Sequence, residues 1–440
     1  MFNFLKAAPI KPTMTSSEKV DTDYKFWRLH LMFTMYIGYA VFYFTRKSFN
    51  FVMPAMVADL GLDKSDIGVI GTLFYLTYGC SKFVSGIVSD RANPRYFMGL
   101  GLIATGVINI LFGLSSSILV LASLWMLNAF FQGWGWPPCS KLLTTWYSRS
   151  ERGFWWSIWN TSHNVGGAII PLLVGFLTLH YSWRMGMIVP GFCAIAVGVF
   201  LCWRLRDKPQ TLGLPSIGEW RQDKLEQAYE HSDEGLSTKE ILFKYVLSNK
   251  YIWLLALSYV LVYIVRTGIN DWGNLYLTEE QGYDLMTANG AISLFEIGGF
   301  IGSLVAGWGS DILFKGNRGP MNWLFSIGIL IAVSALWFFP SQGYFVQAAC
   351  FFAIGFFVFG PQMLIGVAAA ECSHKDAAGA ATGFVGLFAY MGAALAGYPL
   401  ARIIELYSWT GFFTVLTVSA GVVGLLLIPF LRKQAATTGM

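Results

Sequence analysis

Two arginines stand inside apolar stretches long enough to cross a bilayer. Arg46 closes the run Tyr43-Phe44-Thr45-Arg46, and Arg266 closes Tyr263-Ile264-Val265-Arg266. An arginine near the centre of a membrane costs about 2.5–3.5 kcal/mol on insertion scales. Two of them at matching places in one chain point to a purpose. A guanidinium stays charged and offers a planar fork of donors that matches phosphate oxygens. The chemistry these residues suit is non-covalent capture of an anion, a phosphate group above all, between two halves of a membrane protein. The plainer alternative is ion pairing for folding, with Asp271 and Glu296, also inside apolar stretches, as partners.

Other polar groups share those stretches. Lys82 lies mid-span with no acidic residue one turn away, so it is a candidate third positive charge. A snorkelling lysine would sit nearer a helix end. His163 also lies mid-span. It either bonds neighbouring backbone or Asn164, or it contacts the anion and changes protonation with it. An ordinary histidine pKa of about 6.5 is close to the second ionisation of a phosphate monoester, about 6. Tyr39 and Tyr43 are four apart and share a helix face; Tyr263 stands three before Arg266. With Tyr390 and Trp159 they offer rings and hydrogen-bonding groups to a sugar. Trp155 and Trp156 are expected to face lipid or neighbouring helices, and most other tryptophans to form interfacial belts. Lys47, Asp271 and Glu296 are candidates for charge pairs between the halves. Asp90, Arg91 and Asp311 suit structure and gating at the cytoplasmic face rather than ligand binding.

The elements that must position these residues are membrane helices. Of 440 residues, 55% are hydrophobic and only 12% charged, where soluble domains carry roughly 25% charged. Mean hydropathy is +0.53. Apolar spans of about twenty residues, each a transmembrane candidate, recur from end to end, without the ten-residue alternation of a barrel. The spacing predicts spans at 26–51, 67–89, 96–115, 119–147, 153–180 and 184–205. Six more follow at 250–277, 286–314, 320–339, 344–371, 377–407 and 410–431. The fold class is therefore an all-α membrane protein with twelve transmembrane helices. A polar N-terminal tail (1–25), a central loop (206–249) and a C-terminal tail (432–440) flank two bundles, 26–205 and 250–431. Within the loop, Ser237-Thr238-Lys239-Glu240 has capping-box spacing before an apolar run.

Basic residues cluster in the loops on one side, while the other side holds only Lys64 and Arg184. That asymmetry places both termini and the central loop in the cytoplasm. No short apolar core followed by a cleavage site marks a signal peptide. The net charge of +5 comes from short loops and does not suggest nucleic acid. The six cysteines are scattered, so neither disulfide, metal nor other cofactor is expected. No Walker motif and no nucleophile spaced to serve His163 appears, so neither ATP-driven pumping nor an enzyme is expected. Glycine pairs at Gly166-Gly167, Gly298-Gly299-Gly302 and Gly392-Gly397 suit close helix packing. The run Gly133-Trp134-Gly135-Trp136-Pro137-Pro138 suits a bend in the fourth span.

The halves echo one another. Tyr43-x-x-Arg46 recurs as Tyr263-x-x-Arg266, and Gly86-x-x-Ser89-Asp90 as Gly307-x-x-Ser310-Asp311, both about 220 residues later. Parallel repeats with a site between them are a transporter architecture. Gly86-x-x-x-Asp90-Arg91 with Pro94-Arg95, and its counterpart Gly307-x-x-x-Asp311, resemble the signature of the major facilitator superfamily. Gly38-Tyr39 through Arg46-Lys47-Ser48-Phe49-Asn50, Tyr78-Gly79-x-x-Lys82, Trp159-Asn160-x-x-His163-Asn164-x-Gly166-Gly167, Phe359-Gly360-Pro361-Gln362 and Phe388-Ala389-Tyr390 narrow this. Together they look like the organophosphate:phosphate antiporters, and the resemblance covers essentially the whole chain. It implies two pseudo-symmetric six-helix bundles and adds Asn160 to the binding residues.

Within the family, Phe130–Gly135, Asn270–Tyr276 and Ala370–Lys375 look like the hexose-phosphate sensors. This implies a bacterial inner-membrane receptor for external glucose 6-phosphate that signals to a membrane histidine kinase. The alternative is a hexose-phosphate:inorganic phosphate antiporter. Hexose-phosphate transporters of the family carry an acidic and a basic residue in the eleventh span, where this chain has Thr382 and Val385. That departure implies binding without efficient transport.

Overall fold

The computed structural model describes residues 8–14, 16–223, 241–314, 317–339, 343–373 and 378–431. The side chains of Asp90 and Arg91 and the capping sequence Ser237–Glu240 lie outside the described set. The helices are α1 (Ser17–Leu60), α2 (Lys64–Arg91), α3 (Pro94–Gly113), α4 (Ile118–Gln132), α5 (Trp136–Trp146), α6 (Arg149–Asn160), α7 (Ser162–His180) and α8 (Trp183–Arg204). A short α9 (Ile217–Arg221) follows. Then come α10 (Lys250–Glu279), α11 (Leu285–Ile312), α12 (Arg318–Phe338), α13 (Tyr344–Glu371), α14 (Ala378–Leu395) and α15 (Tyr398–Leu427).

Nine stretches among the described residues are long and apolar enough to cross a membrane. The last, Ala381–Phe430, has 50 residues, enough for two crossings. They part at Ser408, whose φ of 55° interrupts the helix. α1 and α2, of 44 and 28 residues, have the length as well. Arg28, Arg46 and Lys47 interrupt the apolar run of one, and Lys82 that of the other. Twelve crossings follow. The fourth breaks between Gln132 and Trp136, where the Gly-Trp-Gly-Trp-Pro-Pro run predicted a bend. The fifth breaks at Thr161, which the sequence reading did not foresee.

The chain packs as two compact units. The first gathers residues 1–49, 77–167 and 184–234. Its core is aromatic and aliphatic, with Phe42, Trp146, Trp159 and Leu201 buried. Trp125 and Trp146 are core residues here, not members of an interfacial belt; the same holds for Trp272 in the second unit. Trp155 and Trp156 pack on neighbouring helices, against Tyr147 and Trp136. α3 and α8 meet through Gly106 and Gly191. A Cβ on Gly191 would lie 2.7 Å from the Gly106 carbonyl oxygen, so only glycine permits that approach.

At the foot of this unit the chain just after α8 is ordered. Lys11 N–H donates to the Gln210 carbonyl (3.0 Å) and Met14 N–H to that of Gly213 (2.8 Å). Tyr24 stacks on Trp220 at 4.4 Å and donates to the Pro215 carbonyl at 2.6 Å. Arg28 and Arg221 both pair with Glu151 at 2.5 Å. Burial raises the Glu151 pKa, but hydrogen bonds from Arg221 and Arg28 outweigh it and hold the carboxyl below its ordinary 4.5. A depressed carboxyl contributes stability that is complete above the ordinary value. That contribution is lost as pH falls through the lowered one. Thermal unfolding of Glu151→Gln is therefore expected to match the parent's acid limb at low pH and to lie below the parent at neutral pH. Parallel curves at all pH values would refute the pairing.

The second unit gathers residues 50–76, 168–183 and 235–440. Asn249, Asp284 and Asn317 cap α10, α11 and α12 by accepting hydrogen bonds from the first helical N–H groups. α11 and α13 cross so closely that Cβ atoms at Gly298 and Gly302 would strike the Phe352 and Phe356 carbonyls. The α14–α15 junction is filled by Thr72. Its hydroxyl donates to the Ala394 carbonyl at 3.0 Å and accepts from Tyr398 N–H at 2.8 Å. The close packing expected at Gly166, Gly392 and Gly397 is also found, against Ala40, Val260 and Thr72.

Candidate anion-binding site

In the first unit, hydrogen bonds on the far side of α1 fix the direction of Arg46. The Thr45 hydroxyl donates to Thr105 (3.0 Å) and accepts from the Gln132 amide (2.9 Å). Asn128 donates to the Thr45 carbonyl (2.8 Å), and Asn109 to the Ser48 hydroxyl (2.9 Å). With those positions turned to α3 and α4, Arg46 turns the other way. Its Nη1 donates to Tyr78 Oη at 3.2 Å, and its guanidinium lies over the Tyr78 ring at 4.1 Å and the Tyr43 ring at 5.3 Å. Tyr78 and Lys82 are one turn apart on α2. Lys82 lies within electrostatic range of Arg46 and Tyr43, its Nζ 4.8 Å from the Trp136 ring.

The break at Thr161 supplies the other wall. Trp159 is the last residue but one of α6, its ring 4.8 Å from Tyr39. His163 begins α7 with its ring 5.6 Å from Tyr43. His163 Nδ1 faces the Asn160 carbonyl, so the neutral ring carries its proton there and Nε2 is the acceptor. The backbone bond expected as the plainer role of His163 is thus present. Tyr39, Tyr43, Arg46, Lys82, Trp159, Asn160 and His163 therefore form one cluster. Two cations, phenol groups and an imidazole suit a dianion.

The second unit holds a matching cluster. Arg266 lies 5.4 Å from the Tyr263 ring and 4.8 Å from that of Phe359. Tyr263 contacts Tyr390 at 5.8 Å and Tyr259 at 5.0 Å. Tyr259 is anchored by donating to the Gln362 carbonyl at 2.6 Å.

The remaining charged residues stand elsewhere. Lys47 is buried in the first unit. Asp271 accepts from the Asn50 amide and, at 2.6 Å, from Tyr75 Oη. Glu296 accepts from the Asn270 amide at 3.0 Å. Asp311 pairs with Arg318 at 2.5 Å, and Arg318 reaches Glu371 at 3.2 Å, in keeping with a structural role.

Sequence reasoning missed Tyr78, Trp136, Tyr259 and Phe359, which hold the cations or their neighbours. For Tyr78 the signal was present: it precedes Lys82 by four residues, hence shares its face. Trp136 stood in the run read for a bend and Phe359 in one read for family likeness, neither pointing to a cation, and Tyr259 was one of many aromatic residues.

The sequence pattern of the Major Facilitator Superfamily matches residues 35–397. The chain is 64% identical over 434 residues to "Membrane sensor protein UhpC" of Escherichia coli (strain K12), covering 99% of each. It is 53% identical over 422 residues to "Probable hexose phosphate transport protein" of Chlamydia pneumoniae, covering 94% of this chain and 93% of that one. Among solved structures, a bacterial homologue of the human lysosomal transporter Spinster, inward-facing and occupied, superposes with a TM-score of 0.70 at 15% identity. That match covers 93% of this chain and 97% of the other.

Proposed function

The chain belongs to the Major Facilitator Superfamily, and from that premise we propose that it is a bacterial inner-membrane receptor for external glucose 6-phosphate. It passes the signal to a membrane histidine kinase. The observation that carries this reading is the Arg46–Tyr78–Lys82 cluster, a cationic spot inside a membrane helix bundle, in a chain so similar to a protein named as a membrane sensor. Arg46 and Arg266 hold the phosphate, with Lys82 and His163 assisting. Tyr39, Tyr43, Tyr263, Tyr390, Trp159 and Asn160 meet the sugar. Two six-helix bundles, 26–205 and 250–431, carry the residues, with both termini in the cytoplasm. Lys47, Asp271 and Glu296 hold one state through charge pairs, while Asp90, Arg91 and Asp311 serve gating. A ligand shifts such an equilibrium only through its different affinities for the two states.

A second reading, exchange of hexose phosphate for inorganic phosphate, is favoured by the likeness to a relative named as a probable transport protein. Against it stands the eleventh span, where Thr382 and Val385 offer no charge and Val385 is fully buried. The two readings share a pocket and differ in turnover. Phosphate–glucose 6-phosphate exchange in proteoliposomes, normalised to binding-competent protein, separates them. Tight, Arg46-dependent binding with little exchange is the expected result. Exchange as fast as a known antiporter run beside it would make the transporter reading primary.

His163→Gln is expected to weaken glucose 6-phosphate binding about ten-fold, the worth of one hydrogen bond to a charged group. It should also flatten the pH dependence of binding near neutrality. Titration calorimetry across that range is the check; an unchanged affinity and pH profile would remove His163 from the site.

A further inference from the structure

The first unit carries a second cationic cluster, on its outer surface. Arg204 ends α8, Arg206 follows it, and Arg95 opens α3. Arg95 and Arg206 turn to the carbonyl end of α8, and Arg204, standing at that end, turns to α1. Arg95 Nε donates to the Cys202 carbonyl, and Arg206 Nη1 to those of Trp203 (2.9 Å) and Leu205 (2.8 Å). Arg204 Nε donates to His30 Nε2 at 2.9 Å. Among the described residues no carboxylate pairs with any of the three. The end of a helix contributes roughly half a negative charge, which offsets only a fraction of three guanidiniums. Burial, then the charges of Arg95 and Arg204, push Arg206 below the ordinary arginine pKa. Such a cluster is held together at a cost that an anion relieves.

What surrounds it identifies the anion. α1 and α8 pack together through Gly38 and Leu201. Each also turns an apolar stripe outward: Phe26, Leu29 and Phe33 on α1, and Phe192, Val199 and Trp203 on α8. The spacings, three then four and seven then four, put each stripe on one helix face. In a membrane protein these stripes face lipid, and they end at the level of the arginines. Trp203 is 62% exposed at that end, with Arg204 4.8 Å from its ring, and Arg206 lies 4.8 Å from the Trp27 ring. Tryptophan beside arginine at the end of an apolar stripe marks the headgroup level of a bilayer.

We propose that Arg95, Arg204 and Arg206 form a site for the headgroup phosphate of an anionic phospholipid, whose acyl chains lie along the outward stripes of α1 and α8. A water-soluble phosphate would gain nothing from those stripes, whereas a diacyl lipid uses both. The site is separate from the Arg46 cluster and does not depend on the identity of the sugar phosphate.

Native mass spectrometry of the full chain, titrated with phosphatidylglycerol against phosphatidylcholine of the same acyl chains, tests this. The parent is expected to retain phosphatidylglycerol preferentially. Arg204→Gln with Arg206→Gln should lower that retention about five-fold per arginine. Arg204→Lys with Arg206→Lys should recover part of it, and exposed Lys19→Gln should change nothing. Equal retention by parent and glutamine variant overturns the proposal. Stabilisation of lipid-free parent by inorganic phosphate, lost in the glutamine variant, would make the site one for free phosphate and also overturn it. Should the glutamine variant fail to fold, the parent alone decides: phosphatidylglycerol bound no better than phosphatidylcholine refutes the site.

Discussion

Replacing Arg46 or Arg266 by glutamine is expected to weaken glucose 6-phosphate binding by roughly a hundred-fold or more. Removing one partner of a buried, hydrogen-bonded charge pair costs about 2–5 kcal/mol. Arg46 is 8% exposed and held between two tyrosine rings, so no solvent rearrangement substitutes for it. Lysine at either position should lie between, about ten-fold weaker than arginine. It keeps the charge but replaces a planar fork with a point donor, and it cannot lie flat on the Tyr78 ring. Calorimetric titration of the four single variants is the measurement. Full affinity in both lysine variants would end the case for a guanidinium-bound phosphate. Loss confined to Arg266 variants would move the site to the second unit alone.

Leucine at Gly302 is expected to be the most damaging substitution for stability. The atom its side chain would strike is the backbone carbonyl of Phe356, not the tip of a flexible chain. α11 and α13 would have to separate along the crossing they share, where Gly298 and Gly355 make similar approaches. Overpacking costs about 1–3 kcal/mol when side chains can move aside. Here they cannot, so a loss at or above the top of that range is expected, roughly 5–10 °C in Tm for a large domain. Gly421 has nothing within 4 Å of its added Cβ and provides the control. If Gly302→Leu and Gly421→Leu melted alike, the crossing would not be glycine-dependent.

How far the sequence foretold this arrangement differs from residue to residue. The helical membrane class was legible because apolar content is a property of the chain, independent of partners. The bend at Gly133–Pro138 was legible because proline and glycine act locally. Arg46 and Arg266 stood out because a charge in an apolar run has no ordinary explanation. The break at Thr161 carried no such mark: threonine is ordinary in a helix, and its hydroxyl there bonds the Ile158 carbonyl at 2.7 Å and Tyr36 Oη, on a remote stretch of α1, at 2.9 Å. Asn128 and Gln132, which aim Arg46, read as unremarkable polar residues, since their acceptors lie some ninety positions away on α1. The ordered cap from Lys11 to Gly213 was invisible for the same reason. Backbone pairing between remote segments leaves no periodicity in either.

The bonds that Asp271 accepts also bear on how the chain is made. Asn50 precedes Asp271 by 221 positions and Tyr75 precedes it by 196. A ribosome adding about 5–20 residues per second takes roughly ten to forty seconds to cover that interval. Throughout it, the amide of Asn50 and the hydroxyl of Tyr75 are already in or near the bilayer without their carboxylate. A polar group without a partner in hydrocarbon costs several kcal/mol. The early helices thus enter the membrane as an unfinished surface, completed only when α10 is synthesised. Truncating translation before Lys250, where α10 begins, should leave a product that the cell's membrane quality control recognises, although every helix in it is complete.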